Sequence, residues 1–420
     1  MTLSYEHLHA AVAGGAVGVR SRLELEPLGG PGDKIFPPTY GTPDSATTRY
    51  AVEERALPNG ASGATVTSTV LDSVAAQANR FEEALLGAVR DGALATPVTS
   101  VDFAGRGLFG IDRISDYEAP HRIFDALLRD SFDGEDLFRH GAAGKAITEA
   151  TSRNAAAVFH HSPHTLVFGG WDSTGPKGGR GAKYERALTS EIVAHGVQLG
   201  VKTASRIDPV GVELRAGPVY ESTGDLGWTL DEHEAVVEKG KPKLYSRTGD
   251  RPGRPSQLNH GNVRPDIDSR AGGITAERIV GTTVLSFIQL RRLRFPVSPA
   301  GEPLADERRK AAEEAAHTAL AALGLAATVL AYEQGFDLRS RCVLVPQGPL
   351  TLEVVGRSGP TELVELDRAA VLALVAEAAE RAGEYGLGWR AGELLLRPSD
   401  RLVELIRRSQ QIAVAGQDED

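Results

Sequence analysis

The chain has 420 residues, 41% of them hydrophobic and 24% charged, which is ordinary for a soluble globular protein. It has no run of 18 apolar residues and no signal-peptide pattern, so we expect a cytoplasmic protein that does not enter membranes. The single cysteine, Cys342, has no partner for an internal disulfide and is expected to be a small buried residue.

The net charge of −10 is unevenly distributed along the chain. From Lys241 to Pro296 there are eleven Lys and Arg against four Asp and Glu, whereas from Val297 to Asp420 there are thirteen against twenty. Because local potential governs binding, an acidic chain can still carry a basic track for a polyanion.

The first part of the chain is expected to alternate between extended and helical segments. Residues 16–25 alternate between apolar and polar, as a half-buried strand does. Paired prolines exclude helix from 34–40, and residues 41–65 have the composition of a loop. Apolar positions from 71 to 90 form one helical stripe, and a second helix is predicted after Pro120.

The rest of the chain is expected to hold an irregular insertion followed by mixed elements. We predict an insertion at 201–273, strand at 279–290, an Ala-rich helix at 306–322, a hairpin of 342–345 with 350–355, and helices at 365–382 and 399–413 before an acidic tail. The strands and helices lack the rhythm of a doubly wound sheet, which indicates an α+β fold with inserted segments.

The most informative stretch runs from Trp171 to Arg186 and is rich in glycine and cations. An apolar run at 166–168, predicted to be a strand, leads into it, and a predicted helix with Leu188, Ile192 and Val193 follows, ending near residue 200. Glycine lets the backbone approach a ligand closely. Exposed N–H groups, cations and a helix start together predict a site for anionic oxygen, most plausibly phosphate.

The pattern of this stretch excludes two common phosphate motifs. No Gly-Lys-Ser or Gly-Lys-Thr of a nucleotide-hydrolysing P-loop occurs, and Gly179-Arg-Gly181 lacks the third glycine of the dinucleotide fingerprint. A flexible basic loop without a ligand remains an alternative. Several cations on one loop suit a polyanion backbone better than a single nucleotide.

Three groups of polar residues have competing interpretations. Asn79, Arg80, His121, Arg122 and Arg129 are predicted to lie on the polar sides of helices, for solvent or for a ligand. The histidines at 160, 161 and 164 are expected around the start of the strand rather than at a metal, because Pro163 interrupts helical ligand spacing. The aspartates at 112, 116 and 172 keep a metal-dependent ribonuclease or other phosphate-handling enzyme open as an alternative. Since these aspartates are isolated, we expect no catalytic residue, metal or cofactor.

Several motifs together resemble one protein family. They are Lys34–Tyr40, Leu71–Ser73 with Gln77–Arg80, His121–Arg122 with Arg129–Ser131, and above all Leu166–Glu191. In these segments the chain resembles the RAMP-superfamily backbone subunit of the type I-U (I-G) CRISPR effector complex, the Cascade subunit counted seventh among the Cas proteins. The resemblance covers roughly residues 15–200 by motif and the remainder by general layout.

The resemblance implies a modified RRM-like (ferredoxin-like) core with inserted thumb or finger segments and C-terminal helices. Its implied parts are a first core region at 1–200 with an inserted loop at about 41–70, a basic insertion at 201–273, the rest of the core at 274–360, and C-terminal helices with an acidic tail at 361–420. The implied partners are CRISPR guide RNA, target DNA reached through the guide, further copies in a filament and other Cascade subunits, without a membrane.

On this interpretation the protein grips the guide by its backbone and leaves specificity to base pairing. The RNA-binding candidates are Lys177, Arg180, Lys183 and Arg186 with Gly178 and Gly179, then Trp171 for support or stacking, then Asn79, Arg80 and Arg122, and finally Lys34, Tyr40 and Arg49.

Overall fold

The computed structural model describes residues 3–43, 45–56, 64–175, 181–213, 215–247, 249 and 251–415. It divides into two units. Unit 1 comprises Met1–Gly41, Tyr50–Gln198 and Ile274–Leu402, and unit 2 comprises Thr42–Arg49, Leu199–Gly273 and Val403–Asp420.

The described part of the chain forms both helices and strands, so the mixed α+β class is confirmed. The helices are α1 (Tyr5–Ala13), α2 (Val74–Arg90), α3 (Ala126–Arg129), α4 (Ala142–Glu149), α5 (Ala156–His161), α6 (Pro163–Phe168), α7 (Phe287–Leu290), α8 (Asp306–Gln334), α9 (Arg368–Glu384) and α10 (Asp400–Ala415), with 3-10 turns at Arg122–Phe124 and Pro255–Leu258.

The strands are numbered in chain order. They are β1 (Gly18–Pro27), β2 (Val52–Ala56), β3 (Thr65–Asp72), β4 (Val98–Asp102), β5 (Arg113–Ser115), β6 (Ser131–Asp133), β7 (Asp136–Leu137), β8 (Gly170–Trp171), β9 (Lys183–Tyr184), β10 (Leu188–His195), β11 (Gln198–Leu199), β12 (Lys202–Arg206), β13 (Tyr220–Glu221), β14 (Trp228–Thr229), β15 (Val237–Glu238), β16 (Lys241–Pro242), β17 (Val263–Asp268), β18 (Ile274–Thr275), β19 (Arg278–Ser286), β20 (Phe336–Arg339), β21 (Cys342–Pro346), β22 (Leu352–Gly356), β23 (Gly359–Val364) and β24 (Glu393–Pro398).

Unit 1 is built on a central antiparallel sheet. Its strand order is β2-β3-β10-β19-β1-β21-β20, with β22 also paired to β1 and β23 paired to β22. Strand β1 has β19 along one side. On its other side β21 pairs with Leu25–Pro27 and β22 with Gly18–Arg20. The alternation predicted for residues 16–25 is therefore confirmed, and β1 lies inside the sheet.

Helices α2 and α8 cover one face of this sheet and pack against each other. The Ser190 hydroxyl on β10 donates to the Gln77 side chain on α2 at 2.9 Å. Gly324 allows α8 to approach closely, because a Cβ there would lie 2.9 Å from Leu285 of β19. Helix α8 extends beyond the predicted 306–322, and α9 packs along it.

Helix α8 is long and apolar enough to cross a membrane by composition alone, but 94% of its most apolar window is buried inside the protein. His317 on this helix bonds to the Leu293 carbonyl at 3.0 Å, and burial lowers the pKa of His317 to about 4. The helix thus has the surroundings of a core helix, as in a soluble protein. Cys342 is buried as expected, and burial raises its pKa to about 11.

A second sheet in unit 1 has the order β5-β4-β24-β6-β7. Strands β4 and β24 run parallel, and the neighbouring pairs are antiparallel. The predicted C-terminal helices are confirmed as α9 and α10. The predicted helix after Pro120 is instead a 3-10 turn followed by the single turn of α3, because Asp125 ends the turn and caps α3.

Unit 2 contains short antiparallel strand pairs and most of helix α10. Strand β12 pairs with β17, β13 with β14 and β15 with β16. Lys202 and Asp268, opposite each other in the first pair, form an ion pair at 3.0 Å. The irregular stretch at 201–273 falls entirely in this unit. Its role as an insertion in a larger core stays a prediction.

The segment before the glycine-rich stretch is a helix rather than the predicted strand, and the segment after it is a strand rather than the predicted helix. Residues 166–168 belong to helix α6, which Pro163 starts, and residues 188–195 form strand β10. Proline at a first helical position favours helix. In 188–195 the first positions alternate between buried and partly exposed, and β-branched residues favour a strand there. The apolar residues at 188, 192 and 193 fit either period, and pairing with β19 and β3 decides for the strand.

Four smaller predictions are also corrected. Residues 71–72 end strand β3, and α2 begins at Val74 after the Ser73 cap. Part of the predicted loop at 41–65 is strand β2. Strands β21 and β22 exist but pair with β1 rather than with each other, and the predicted strand at 279–290 ends at Ser286 before α7.

Candidate nucleic-acid interface

The glycine-rich stretch connects two strands of a small hairpin in unit 1. Strands β8 and β9 are antiparallel, with Trp171 directly opposite Lys183. Residues directly opposite on a hairpin project to the same face. Trp171 is 49% exposed and Lys183 is also exposed, so an aromatic ring and a cation lie side by side on the surface. The other loop candidates, Lys177, Gly178, Gly179 and Arg180, lie outside the described residues.

The inner side of this hairpin is held by a buried ion pair. Asp172 is 1% exposed, and its carboxylate accepts a hydrogen bond from the Arg139 guanidinium. Arg139 also donates to the Thr174 carbonyl at 2.8 Å. Gly181 passes so close to Asp172 that a Cβ at 181 would lie 1.8 Å from the Asp172 carbonyl oxygen. This glycine therefore serves the close crossing of two backbone segments.

The Asp172 carboxylate thus has a structural partner, although the sequence kept it as a candidate catalytic group. On the second strand Tyr184, opposite Gly170, is buried and stacks on Phe124 with ring centroids 6.0 Å apart. Burial raises the pKa of Tyr184 above its usual value. The hairpin is therefore apolar and neutralised on its inner side, and aromatic and cationic on its outer side.

A second buried ion pair lies at the base of the hairpin. Arg122 donates to both carboxylate oxygens of Glu82 at 2.6 and 2.7 Å, and to the Gly169 carbonyl at 2.9 Å. Their side chains are 7% and 2% exposed. Burial raises the pKa of Glu82 to about 7, against the opposing effect of the Arg122 charge. The prediction that Arg122 lies on a polar, outward side is wrong, because its guanidinium is buried and donates to Glu82 and Gly169 inside the protein.

The sequence reasoning missed Glu82 as the partner of Arg122. Glu82 belongs to α2 beside the apolar stripe that includes Phe81 and Leu85, so its position on the inner side was the available signal. The two partners are forty positions apart in the chain, and spacing alone does not connect them.

Arg186 is half-buried rather than fully exposed. Its guanidinium donates to the Val74 carbonyl at 3.3 Å, and its stem packs against Gly169, where a Cβ would lie 2.8 Å from Arg186 Cγ. Burial and the nearby Arg122 charge lower the pKa of Arg186. Of the four loop cations predicted for RNA, Lys183 is thus the described one that extends freely on the outer face.

Of the two remaining RNA-binding candidates on α2, one is exposed and the other makes hydrogen bonds within the protein. Asn79 is exposed on α2. Arg80 donates to Asp72 at 2.9 Å and to the carbonyls of Asp337 and Leu338 at 3.0 and 2.7 Å. Arg80 therefore ties α2 to β3 and β20.

The remaining candidates lie in two different units. In unit 1, Lys34 is partly exposed and precedes the bridge between Ile35 and Ile274, and Tyr40 is 43% exposed. In unit 2, Arg49 is exposed, and its backbone N–H donates to the Arg270 carbonyl at 2.8 Å. Each is thus at a surface of its own unit.

The three histidines are packing residues rather than a surface group. His164 is fully buried and stacks on Tyr117 with centroids 3.7 Å apart. Burial lowers the pKa of His164 well below its usual value and that of His161 to about 4. His160 bonds to the Gly388 carbonyl at 2.6 Å. Among the described residues no group of three or more His, Cys, Asp or Glu is placed to hold a metal ion.

Asp116 belongs to the same buried region. Its carboxylate accepts from the Thr99 backbone N–H at 3.0 Å and from the Ser162 hydroxyl at 2.8 Å. Burial raises the pKa of Asp116 to about 7. Asp116 is fully buried and therefore contributes to the packing of this region.

A further charged surface, which the sequence reasoning did not single out, lies on the face of the central sheet away from α2 and α8, where β1 presents two arginines followed by Glu24 and Glu26. Arg20 and Arg22 alternate along β1 with buried neighbours and lie opposite Val284 and Thr282 of β19. Arg20 is paired with Glu353. The signal was present in the alternation of residues 16–25, where arginines occupy two of the outward positions.

Comparison with known proteins finds similarity to one family over part of the chain. No curated protein matches the chain at a significant level of similarity. Residues 19–199, which include the hairpin, the Glu82–Arg122 pair and strands β1, β3 and β10, match the model of the family described as CRISPR-associated protein GSU0053. In this region, the chain is similar to a family of CRISPR-associated proteins.

Proposed function

We propose that this protein is the guide-RNA-binding backbone subunit of a type I (I-U/I-G) CRISPR Cascade complex. In this role several copies assemble along the guide RNA and present it for pairing with invading DNA in antiviral defence. The observation that carries the proposal is the outer face of the β8–β9 hairpin, where Trp171 and Lys183 lie side by side within the family-matched region.

The chemistry of this pair suits a single-stranded nucleic acid of any sequence. An exposed indole offers a stacking surface to any base, and a lysine offers a point charge to phosphate. Neither group reads base edges, so the contact leaves sequence recognition to base pairing by the guide. The buried pairs of Asp172 with Arg139 and of Glu82 with Arg122 support the hairpin from its inner side.

The topology of unit 1 also supports the proposal. Elements β1, α2, β10, β19, α8 and β21 follow one another in the chain, and the four strands lie in the order β10-β19-β1-β21, all antiparallel. The ferredoxin-like βαββαβ unit, to which RRM domains belong, has this connectivity, with strands in the order 2-3-1-4. On that basis we propose an RRM-like core, with β2, β3 and the segments between α2 and β9 as additions.

The open face of the sheet fits the same role. RRM domains bind RNA on the sheet face that is free of helices. Here the Gly18–Leu23 half of β1 presents Arg20 and Arg22 on that face, Glu24 and Glu26 follow on the other half, and β19 has no aromatic residue, so we expect contacts to phosphate and sugar at the arginine end rather than base stacking. The basic stretch from 241 to 270 is our candidate for a projecting thumb.

We test the proposal by co-expressing the chain with a CRISPR array and sequencing the RNA that copurifies. The expected result is repeat-derived guide RNA in assemblies larger than the 44.5 kDa monomer. The double variant Trp171→Ala with Lys183→Ala should lose most of this RNA. Lys145→Ala, which removes an exposed lysine from α4, is the matched control and should retain it. The proposal would be overturned if the double variant retained its RNA, or if the wild-type protein purified as a monomer free of RNA.

We propose binding without turnover. The enzymatic alternative relied on Asp172, whose buried carboxylate is engaged by Arg139. The direct check is incubation of the purified assembly with labelled RNA and Mg²⁺ or Mn²⁺, for which we expect intact RNA. Cleavage that disappears in Asp172→Asn would contradict this.

A further inference from the structure

Unit 1 contains a cavity of about 680 Å³ that is separate from the hairpin residues. It is bordered by the C-terminal end of α2, strands β4 and β5, helix α9 and the segment 388–393. Its volume falls within the range of sites for small organic ligands. None of the RNA-binding candidates lines it.

The lining of this cavity is mainly apolar. Leu86 and Val89 of α2, Leu94 and Val98 contribute aliphatic surface, and Trp389 contributes an indole. The indole N–H is buried and finds no acceptor among the described residues. Aromatic and aliphatic walls with a few polar groups are typical of a site for an apolar ligand body.

One cation in the wall has no anionic partner within ion-pair distance among the described residues. The Arg390 guanidinium donates to the Val98 carbonyl at 2.7 Å and to the Gly392 carbonyl at 3.0 Å. Its Nε is buried and has no acceptor in the described part of the chain. Burial lowers the pKa of Arg390, against the opposing effect of the Asp116, Glu393 and Asp133 charges. A carboxylate would compensate this charge.

A second arginine lies at the rim. The Arg113 side chain is 48% exposed and donates to Glu393 at 3.1 Å. A guanidinium carries five N–H donors, so this contact leaves capacity for a further oxygen ligand. Three arginines, Arg90, Arg113 and Arg390, line the cavity against one carboxylate, Glu393, so the charged groups of the lining are net positive.

We propose that this cavity binds an apolar group that carries a carboxylate, with Trp389 against the apolar part and Arg390 and Arg113 toward the carboxylate. The ligand is a free carboxylic acid or an acidic, apolar peptide segment of a protein partner. Phosphate alone does not fit, because most of the lining offers it no hydrogen bonds. The inference does not depend on the proposed function in RNA binding.

The probe is 8-anilinonaphthalene-1-sulfonate, which joins aromatic rings to an anion, titrated into the full-length protein and followed by its fluorescence. We expect saturable binding. Decanoate should displace the probe at a concentration at least about tenfold lower than neutral decanamide does, since the carboxylate gains charge-assisted hydrogen bonds. A capped Leu-Phe-Leu-Asp peptide is the second competitor. Displacement by decanoate alone indicates a free acid as the source, and displacement by the peptide indicates a protein segment.

Two pairs of variants locate the site. Ala379→Phe should fill the cavity and weaken probe binding more than about tenfold, whereas Ala373→Phe, at an exposed position of the same helix, should leave binding unchanged. Arg113→Gln should weaken decanoate binding about three- to tenfold, the effect of one lost hydrogen-bonding contact. Equal effects of the two Phe variants, displacement by decanamide as strong as by decanoate, or displacement by neither acid would overturn the proposal. Circular dichroism of each variant separates loss of the site from loss of the fold.

Discussion

Removal of Arg122 should destabilise unit 1 strongly, because it leaves a buried carboxylate without its partner. Arg122→Ala deletes two hydrogen bonds to Glu82 and one to the Gly169 carbonyl, all in a region that is less than a tenth exposed. Breaking a buried ion pair in this way costs about 3–5 kcal/mol. Glu82 already has a pKa of about 7 and can take up a proton when the guanidinium is gone. We therefore expect the lower end, about 3 kcal/mol.

The assay is urea-induced unfolding followed by circular dichroism, with the midpoint and slope compared among variants. Arg129→Ala is the matched control, since its partly exposed pair with the adjacent Asp130 should contribute less than about 1 kcal/mol. The double variant Glu82→Leu with Arg122→Met should recover most of the loss, because apolar side chains replace both charges together. The reasoning fails if Arg122→Ala is no less stable than Arg129→Ala, or if the double variant is no better than the single one.

Three further predictions concern pH, backbone packing and RNA. Burial raises the pKa of Asp116 from 3.8 to about 7, so its contribution to stability is full below about pH 4 and is lost as pH rises through 7. In unfolding titrations, the stability of the wild type relative to Asp116→Asn should therefore fall between pH 4 and 7. A difference that does not change with pH would contradict the assignment. Gly181→Ala should disrupt the hairpin and reduce guide RNA binding, because its Cβ would overlap the Asp172 carbonyl; unchanged binding in a filter assay would show that this crossing is not needed. Lys183→Ala should lower the salt-dependence slope of single-strand binding by about 0.7, for guides of any sequence alike; a loss confined to one sequence would contradict a backbone contact.

The elements that the sequence predicted correctly are those with a strong local pattern. Strand β1 and helices α8, α9 and α10 each repeat their apolar positions with a clear period over at least ten residues. Residues 188–195 were predicted wrongly because a short apolar run fits both periods, and pairing with distant strands decides between them. Local pattern therefore predicts long elements, and tertiary pairing decides short ones.

The sequence predicted only those features of the candidate site that follow from local pattern. The exposure of Trp171 and Lys183 follows from a motif that is continuous in the chain. The burial of Arg122 depends on Glu82, which a different element brings to it, and no spacing rule relates the two. Charged side chains on a predicted polar face become internal whenever a distant partner of opposite charge is buried with them.

The position of β1 in the central sheet has a consequence for how the chain acquires its structure during synthesis. This strand, complete by residue 27, forms its ladders with residues 278–286 and with segments beyond residue 340. Both of its edges remain without their final neighbours until most of the polypeptide has left the ribosome. Contacts so far apart in the chain slow folding, and uncovered strand edges favour aggregation. Yield of the folded protein should therefore depend on translation rate and on chaperones.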